Sequence, residues 1–313
     1  MIICCGEALI DMIPEPTSSG ATGYVPYSGG SVFNTAIAIG RLGGEAGFMS
    51  GLSTDFFGEQ LLSDLRDSGV DSSFAVISGR PTTLAFVKFT DGHADYAFFD
   101  ENTAGRMLNA DDFGAVPDNV KAMFFGGISL VAEPCGSAYA ALAAREAERR
   151  IIMLDPNIRE AFITDEAAYR ERLQGLFRIA DIVKVSDHDL GWIFQSTLTL
   201  QEKARILLEA GPAVVILTRG EKGATAYLRD LEPISIEGRR VEVADTVGAG
   251  DTFNAGFLTR LSAQDYLAKA KIRSVPADVL AGALSYGVAA ASICVSRHGA
   301  NPPWAHELAE ICG

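Results

Sequence analysis

Cysteine is sparse in this chain and shows no C-x-x-C pair: the five thiols stand at positions 4, 5, 135, 294 and 312. An odd, unpatterned set fits neither a disulfide framework nor a thiolate metal site. It points to reduced thiols in a cytoplasmic protein, packed as small apolar side chains. Basic residues are scarce too. Lys plus Arg number 26 against 40 Asp plus Glu, a net charge of −14, so the electrostatic footprint of a nucleic-acid or anionic-membrane surface is missing. The four histidines, 93, 188, 298 and 306, lack metal-ligand spacing. No G-x-S-x-G marks a hydrolase, and neither G-x-x-x-x-G-K-[ST] nor the dipeptide Gly-Lys occurs. No apolar run reads as a membrane span. The first six residues lack a basic region and read as a first strand, not as a signal peptide.

What is present is an ordinary globular composition, 48% hydrophobic and 21% charged over 313 residues, which removes disordered and fibrous classes. No linker, low-complexity segment or repeat interrupts it, so one domain over 1–313 is expected. Short apolar runs suited to buried parallel strands recur at 2–5, 46–49, 122–125, 151–154, 182–185 and 214–217. Helical patterns lie between them at 31–42, 57–67 and 138–149. This alternation implies an α/β fold: a doubly wound, mostly parallel sheet flanked by helices, with ligands beyond the carboxyl ends of its strands. Two excursions break the rhythm. Residues 82–89 and 94–100, split by Asp91-Gly92, read as an antiparallel hairpin, and a second extended pair lies between 11 and 28 around Ser18-Ser19-Gly20. Together they are expected to form a small projecting sheet, a lid, whose Phe86, Tyr96, Phe98 and Phe99 cover a substrate or a second subunit.

Glycine is abundant, 32 in all, and its placement carries the chemistry. Asp245-Thr-Val-Gly248-Ala249-Gly250-Asp251-Thr-Phe253 precedes apolar residues at helical spacing, Phe253, Phe257, Leu258 and Leu261. Residues 248–250 therefore read as a loop entering a helix N-terminus, where free N–H groups and the helix dipole favour an anion. An acid at 251 suits an N-cap, or a general base that takes a hydroxyl proton beside donors holding a transferring phosphoryl group.

That nine-residue segment resembles the C-terminal signature of the ribokinase-like (phosphofructokinase B) carbohydrate kinases, and the resemblance extends over nearly the whole chain. It implies transfer from MgATP to a primary sugar hydroxyl, with Asp251 as base and the backbone of Gly248, Ala249 and Gly250 as anion hole. It also implies that Asp11, in Gly6-Glu-Ala-Leu-Ile-Asp11, and Gly29, Gly30 and Asn34, in Ser28-Gly-Gly-Ser-Val-Phe-Asn34, bind the sugar. Independently, Asp11 lies in an apolar stretch where it needs hydrogen-bond donors, which vicinal hydroxyls supply. Arg106, in Asn102-Thr-Ala-Gly-Arg-Met-Leu108, resembles a ketohexose-binding arginine of bacterial fructokinases. Arg159, in Asp155-Pro-Asn-Ile-Arg159, lies where ligands gather, on the sugar or phosphate side.

The nucleotide is implied to run along Asn157, Ser186, Thr218, Gly220, Gly223, Gly248, Gly250 and Gly282. Ser186 and Asp189 occupy the place of the family's Asn-x-x-Glu, which makes Asp189 the candidate for reaching magnesium through water. Gly51 to Gly58 is similar to the other family signature, with Ser53 where a second glycine is usual. Asp245, Val247, Cys294 and Gly299 match segments that hold a monovalent cation, so potassium is a further implied ligand. Fructose is the first expectation for the sugar, and ribose or 2-keto-3-deoxygluconate is the runner-up. A non-catalytic sugar-binding module would keep Asp11, Gly30 and Asn34 but tolerate loss of Asp251, which is intact. Expected partners are thus a sugar and ATP, with neither nucleic acid nor membrane, and a homodimer joined through the lids as in some members.

Overall fold

The structure, a computed structural model, describes residues 1–90 and 93–312, so the Asp91-Gly92 turn lies outside the described residues. Nine strands form one sheet in the spatial order Ile234–Ile236, Ala224–Tyr227, Val214–Thr218, Ile182–Ser186, Ile151–Asp155, Ala122–Gly126, Ile2–Cys5, Ala46–Met49 and Val70–Asp71. The two strands at the first edge pair antiparallel and the rest pair parallel. All six apolar runs belong to this sheet. Their unbroken hydrophobicity follows from helices covering both faces: Ile2 and Cys4 pack into one core, Ile3 and Cys5 into the other.

Four strands run one residue past their apolar segment, to Gly126, Asp155, Ser186 and Thr218. The added residue is glycine or polar because it already stands at the carboxyl edge. From Ile2–Cys5 the chain first builds outward through Ala46–Met49 and Val70–Asp71, then crosses back to the other flank at Ala122–Gly126. That reversal is a topological switch point, where such sheets open a crevice.

A second sheet of four strands, in the order Thr22–Gly29, Leu9–Pro16, Leu84–Thr90 and His93–Phe99, stands over that edge. Its middle pair is parallel and its outer pairs are antiparallel. Register sorts its side chains. Asp11 lies opposite Ala85, and Ala85 opposite Phe98, so these three share a face. Phe98 meets Phe162 of the main body edge-on, with ring centroids 4.1 Å apart. The other face carries Met12 and Phe86; Phe86 packs edge-on against Tyr24 and Phe99. Nothing is described of the Tyr96 side chain.

The helix Ala249–Ala263 lies between Ser31–Arg41 and Ala277–Val295 and is buried almost all round. It touches the latter without side chains in between: a Cβ on Gly256 would stand 2.9 Å from the Gly287 Cα, and one on Gly287 would stand 2.9 Å from the Phe253 carbonyl oxygen. Ala277–Val295 is the one described helix long and apolar enough to cross a membrane. This corrects the expectation of no such run, and its physical reason is burial, since the apolar residues serve the helix–helix core. Replacing Gly287 by Leu should therefore force the pair apart and cost about 1–3 kcal/mol, seen as a lowered midpoint in thermal unfolding.

Candidate active site

Gly248 stands at the N-cap of Ala249–Ala263 with φ 76°, a left-handed turn that suits glycine. The helix begins one residue later, so Ala249, Gly250 and Asp251 form its first turn, where the sequence suggested a loop. The Ala249 N–H donates to the Thr246 carbonyl at 3.3 Å, while the Gly250 and Asp251 N–H groups lie in the first turn, where no intrahelical acceptor exists, at the positive end of the helix. Asp251 is buried there, only 7% exposed. Its Oδ2 accepts a hydrogen bond from Asn34 Nδ2 at 3.0 Å, and its backbone carbonyl accepts from Thr35 Oγ1 at 3.4 Å.

Burial is the main reason the Asp251 carboxyl is pushed up to about 7. The charges of Asp155 and Glu7 add to the rise, while the Asn34 bond and the Lys184 charge oppose it. A carboxyl poised near neutrality suits proton transfer at physiological pH.

Beneath the first turn lies a buried cluster. Asp155 Oδ2 accepts from Lys184 Nζ at 2.9 Å and from Asn254 Nδ2 at 2.7 Å. The Lys184 ammonium stands 3.1 Å from where a Cβ on Gly250 would be. On the other side, Glu7 fixes the Gly-Gly turn: its Oε1 accepts from the Ser31 N–H at 3.0 Å and from Ser31 Oγ at 2.6 Å, and its Oε2 from the Ser129 N–H at 3.2 Å. The sequence reading gave none of these four residues a role. Lys184 had a signal, a single charge inside the apolar run Ile-Val-Lys-Val. Asn254 had a weaker one, three positions after Asp251 on the same helix.

The remaining candidates fall into groups. Asp11 is half-buried, and burial pushes its carboxyl up to about 6. Gly29 faces it closely, since a Cβ there would lie 2.2 Å from Asp11 Oδ2. Gly30, at φ 104°, caps Ser31–Arg41 and presses on the Glu7 carbonyl. Gly248 lies beside Cys294, and the nearby Asp245 draws its own loops together, accepting from the N–H groups of Val247 and Gly299, both at 3.0 Å. Cys294 Sγ donates to the Val247 carbonyl at 3.6 Å.

Asn157 follows Asp155 with φ 43°. Ser186 caps Asp187–Ile193, and Asp189 spends both oxygens internally, on the Ile158 N–H and on the Ser186 N–H and hydroxyl. Thr218 ends its strand, and Gly220 and Gly223 form the left-handed positions of the following turn. A Cβ on Gly282 would meet only open space.

The two arginines are engaged with local partners. Arg106 pairs with Asp100 at 2.8 Å and donates to the Glu133 carbonyl, at the wall of a cavity of about 320 Å³ also lined by Glu7, Phe162 and Tyr169. Arg159 is exposed and turned back on the Ile158 carbonyl.

A sharply turned glycine entry, a buried carboxyl raised to about 7 and side chains delivered to the carboxyl edge of the sheet make up the site. The model of pfkB family carbohydrate kinases matches residues 1–307. The chain belongs to the pfkB family of carbohydrate kinases.

Within this family it is 46% identical to a fructokinase of Rhizobium leguminosarum bv. trifolii over 280 residues, 90% of this chain and 85% of the relative. A fructokinase of Xylella fastidiosa with bound ATP superposes with a TM-score of 0.91 at 24% identity over 99% of this chain and 97% of that one. A fructokinase of Vibrio cholerae O395, in a form with fructose, ADP and calcium ion bound, does so at 0.80 with 26% identity over 96% and 94%.

A general base must be ionised to act, so with Asp251 in that role activity would rise as pH passes through its pKa. Because Asn34 holds that pKa down, Asn34→Ala should move the acid limb of the kcat/KM profile to higher pH. A pH series of initial rates checks this.

Proposed function

We propose that this carbohydrate kinase transfers the γ-phosphoryl group of ATP to the 6-hydroxyl of D-fructose, giving fructose 6-phosphate. The observation that carries the reading is the placement of Asp251: a buried carboxyl pushed up to about 7 in the first turn of a helix, at its positive end. The name of the Rhizobium relative and the fructose in the Vibrio cholerae structure support fructose as acceptor.

In this reading Asp251 accepts the hydroxyl proton as the oxygen attacks phosphorus. The backbone of residues 248–250 takes up charge on the transferring group. Asp11, raised toward neutrality by burial, orients sugar hydroxyls from the small sheet, with Gly29 and Gly30 leaving room for the ring. Asn34 aligns Asp251 and presents its remaining polar capacity to the sugar. Arg106 and Arg159 approach the acceptor by exchanging their local partners for it. Thr218, Gly220, Gly223, Asn157, Ser186 and Gly282 flank the nucleotide. The small sheet acts as a lid that keeps water from the phosphoryl group.

Among the described residues no three His, Cys, Asp or Glu side chains stand together to hold a metal. The nucleotide phosphates would carry the magnesium, and Asp189 would reach it through water by giving up its bond to the Ser186 hydroxyl. Magnesium, when bound, offsets phosphate charge. Asp245 ties the Val247 and Gly299 N–H groups together and Cys294 reaches the Val247 carbonyl, and this loop cluster is where potassium would bind. The outer face of the small sheet leaves Tyr24 and Phe99 about half exposed, at 43% and 59%, an apolar surface for a second copy of the chain. Free thiols at Cys4, Cys5, Cys135 and Cys294 fit work in the cytoplasm.

Two experiments test this reading. A panel measuring ADP release with fructose, ribose and 2-keto-3-deoxygluconate should give the highest kcat/KM for fructose; activity with another sugar and none with fructose would reject that acceptor. Asp251→Ala should keep sugar binding yet lose at least roughly 10²- to 10⁴-fold in turnover, and near-normal turnover would remove Asp251 from the base role.

A further inference from the structure

The Asp155–Lys184–Asn254 cluster has no evident use in stability. Lys184 is 4%, Asp155 1% and Asn254 0% exposed. Burying an ion pair costs desolvation that the attraction between its charges repays only in part, and apolar replacements of the same volume are often neutral or stabilising. Here one carboxylate oxygen takes both donors, so Asp155 Oδ1 and Asn254 Oδ1 face no protein donor. Such an arrangement is poorly satisfied as a structural brace.

Its position explains it better. Lys184 comes from the strand Ile182–Ser186, Asp155 from the neighbouring Ile151–Asp155, and Asn254 from the helix that carries Asp251. The three side chains therefore lock the carboxyl edge of the sheet to the first turn of that helix. Gly250 lacks the side chain that would crowd the ammonium.

We propose that Lys184, held against Gly250 by Asp155, which Asn254 in turn anchors, is a positioning residue that adds a fixed positive charge to the helix N-terminus and holds the first turn in register for phosphoryl transfer. Burial alone would drain charge from this lysine, but the carboxylates of Asp155, Asp189 and Asp251 outweigh it and keep the ammonium protonated. The titratable and polar groups that bear on Asp251 then come from five places: Asn34 from Ser31–Arg41, Asp155 and Lys184 from two neighbouring strands, Glu7 from the turn after Ile2–Cys5, and the Cys294 thiol from Ala277–Val295. Lys184 is the only cation among them, so its removal must raise the proton affinity of the base as well as weaken the field on the phosphoryl group.

The inference rests on the kinase reading, and steady-state kinetics on the full chain separates the two. Wild-type turnover with none of the panel sugars would reject the kinase reading itself. Given wild-type turnover, Lys184→Met should lower kcat by about 10²-fold, the scale of one lost electrostatic contact at a transition state. The sugar KM should stay within a few-fold, and the acid limb of the kcat/KM profile should move to higher pH. Lys184→Arg should recover part of kcat, because the charge returns without the compact fit.

A folded Lys184→Met enzyme with wild-type kcat and an unmoved acid limb would overturn the proposal. If Lys184→Met does not fold, Asn254→Ala decides instead. It frees Asp155 and should lower kcat about ten-fold with the sugar KM nearly unchanged; an Asn254→Ala enzyme with wild-type kcat would equally overturn it.

Discussion

The hydrogen bond from Asn34 to Asp251 organises this molecule. It joins positions 217 apart in sequence, spans two helices, and fixes the orientation of a carboxylate that burial would otherwise keep protonated. Ionising a buried acid is expensive. The protein meets that cost with one neutral donor, one cation at Lys184 and the positive end of a helix, while Asp155 and Glu7 pull the other way. The balance leaves the group near neutrality, able to take a proton and to return it.

The rest of the fold serves that balance. Helix Ala249–Ala263 is wedged between two others, with Gly256 and Gly287 bringing its backbone against its neighbour, so its first turn has little freedom to drift. The parallel sheet delivers Glu7, Asp155, Ser186 and Thr218 to a common edge because each strand ends there. The small sheet grows from the same edge, and its register turns Asp11 toward the main body. An acidic surface is compatible with an anionic substrate here, because the positive potential is local, supplied by backbone dipoles and one buried ammonium.

Much of this was legible in the sequence. Apolar runs located six strands because burial on both faces leaves no polar alternation, and the glycine-rich signature around Asp251 located the helix entry. The small sheet was visible from its turn residues. What stayed hidden depends on contacts between distant segments. Asn34 read as a sugar contact, and nothing local reveals that it holds Asp251. Lys184 shows only as a lone charge inside an apolar run and Asp155 as an ordinary strand boundary, 29 positions apart, and only the parallel pairing of the sheet brings them together. The arginines add another case: Arg106 and Arg159 carry suggestive motifs, and only the structure shows that their guanidinium groups have local partners, Asp100 and the Glu133 carbonyl for one and the Ile158 carbonyl for the other.

The central claim is that Asp251 is held near neutrality by its surroundings. It is tested most directly by titrating that carboxyl itself, with infrared difference spectra of the isotope-labelled protein read against Asp251→Asn. The structure predicts a carboxylate band that grows in with a midpoint near pH 7. A midpoint in the ordinary aspartate range, about 4, would contradict it.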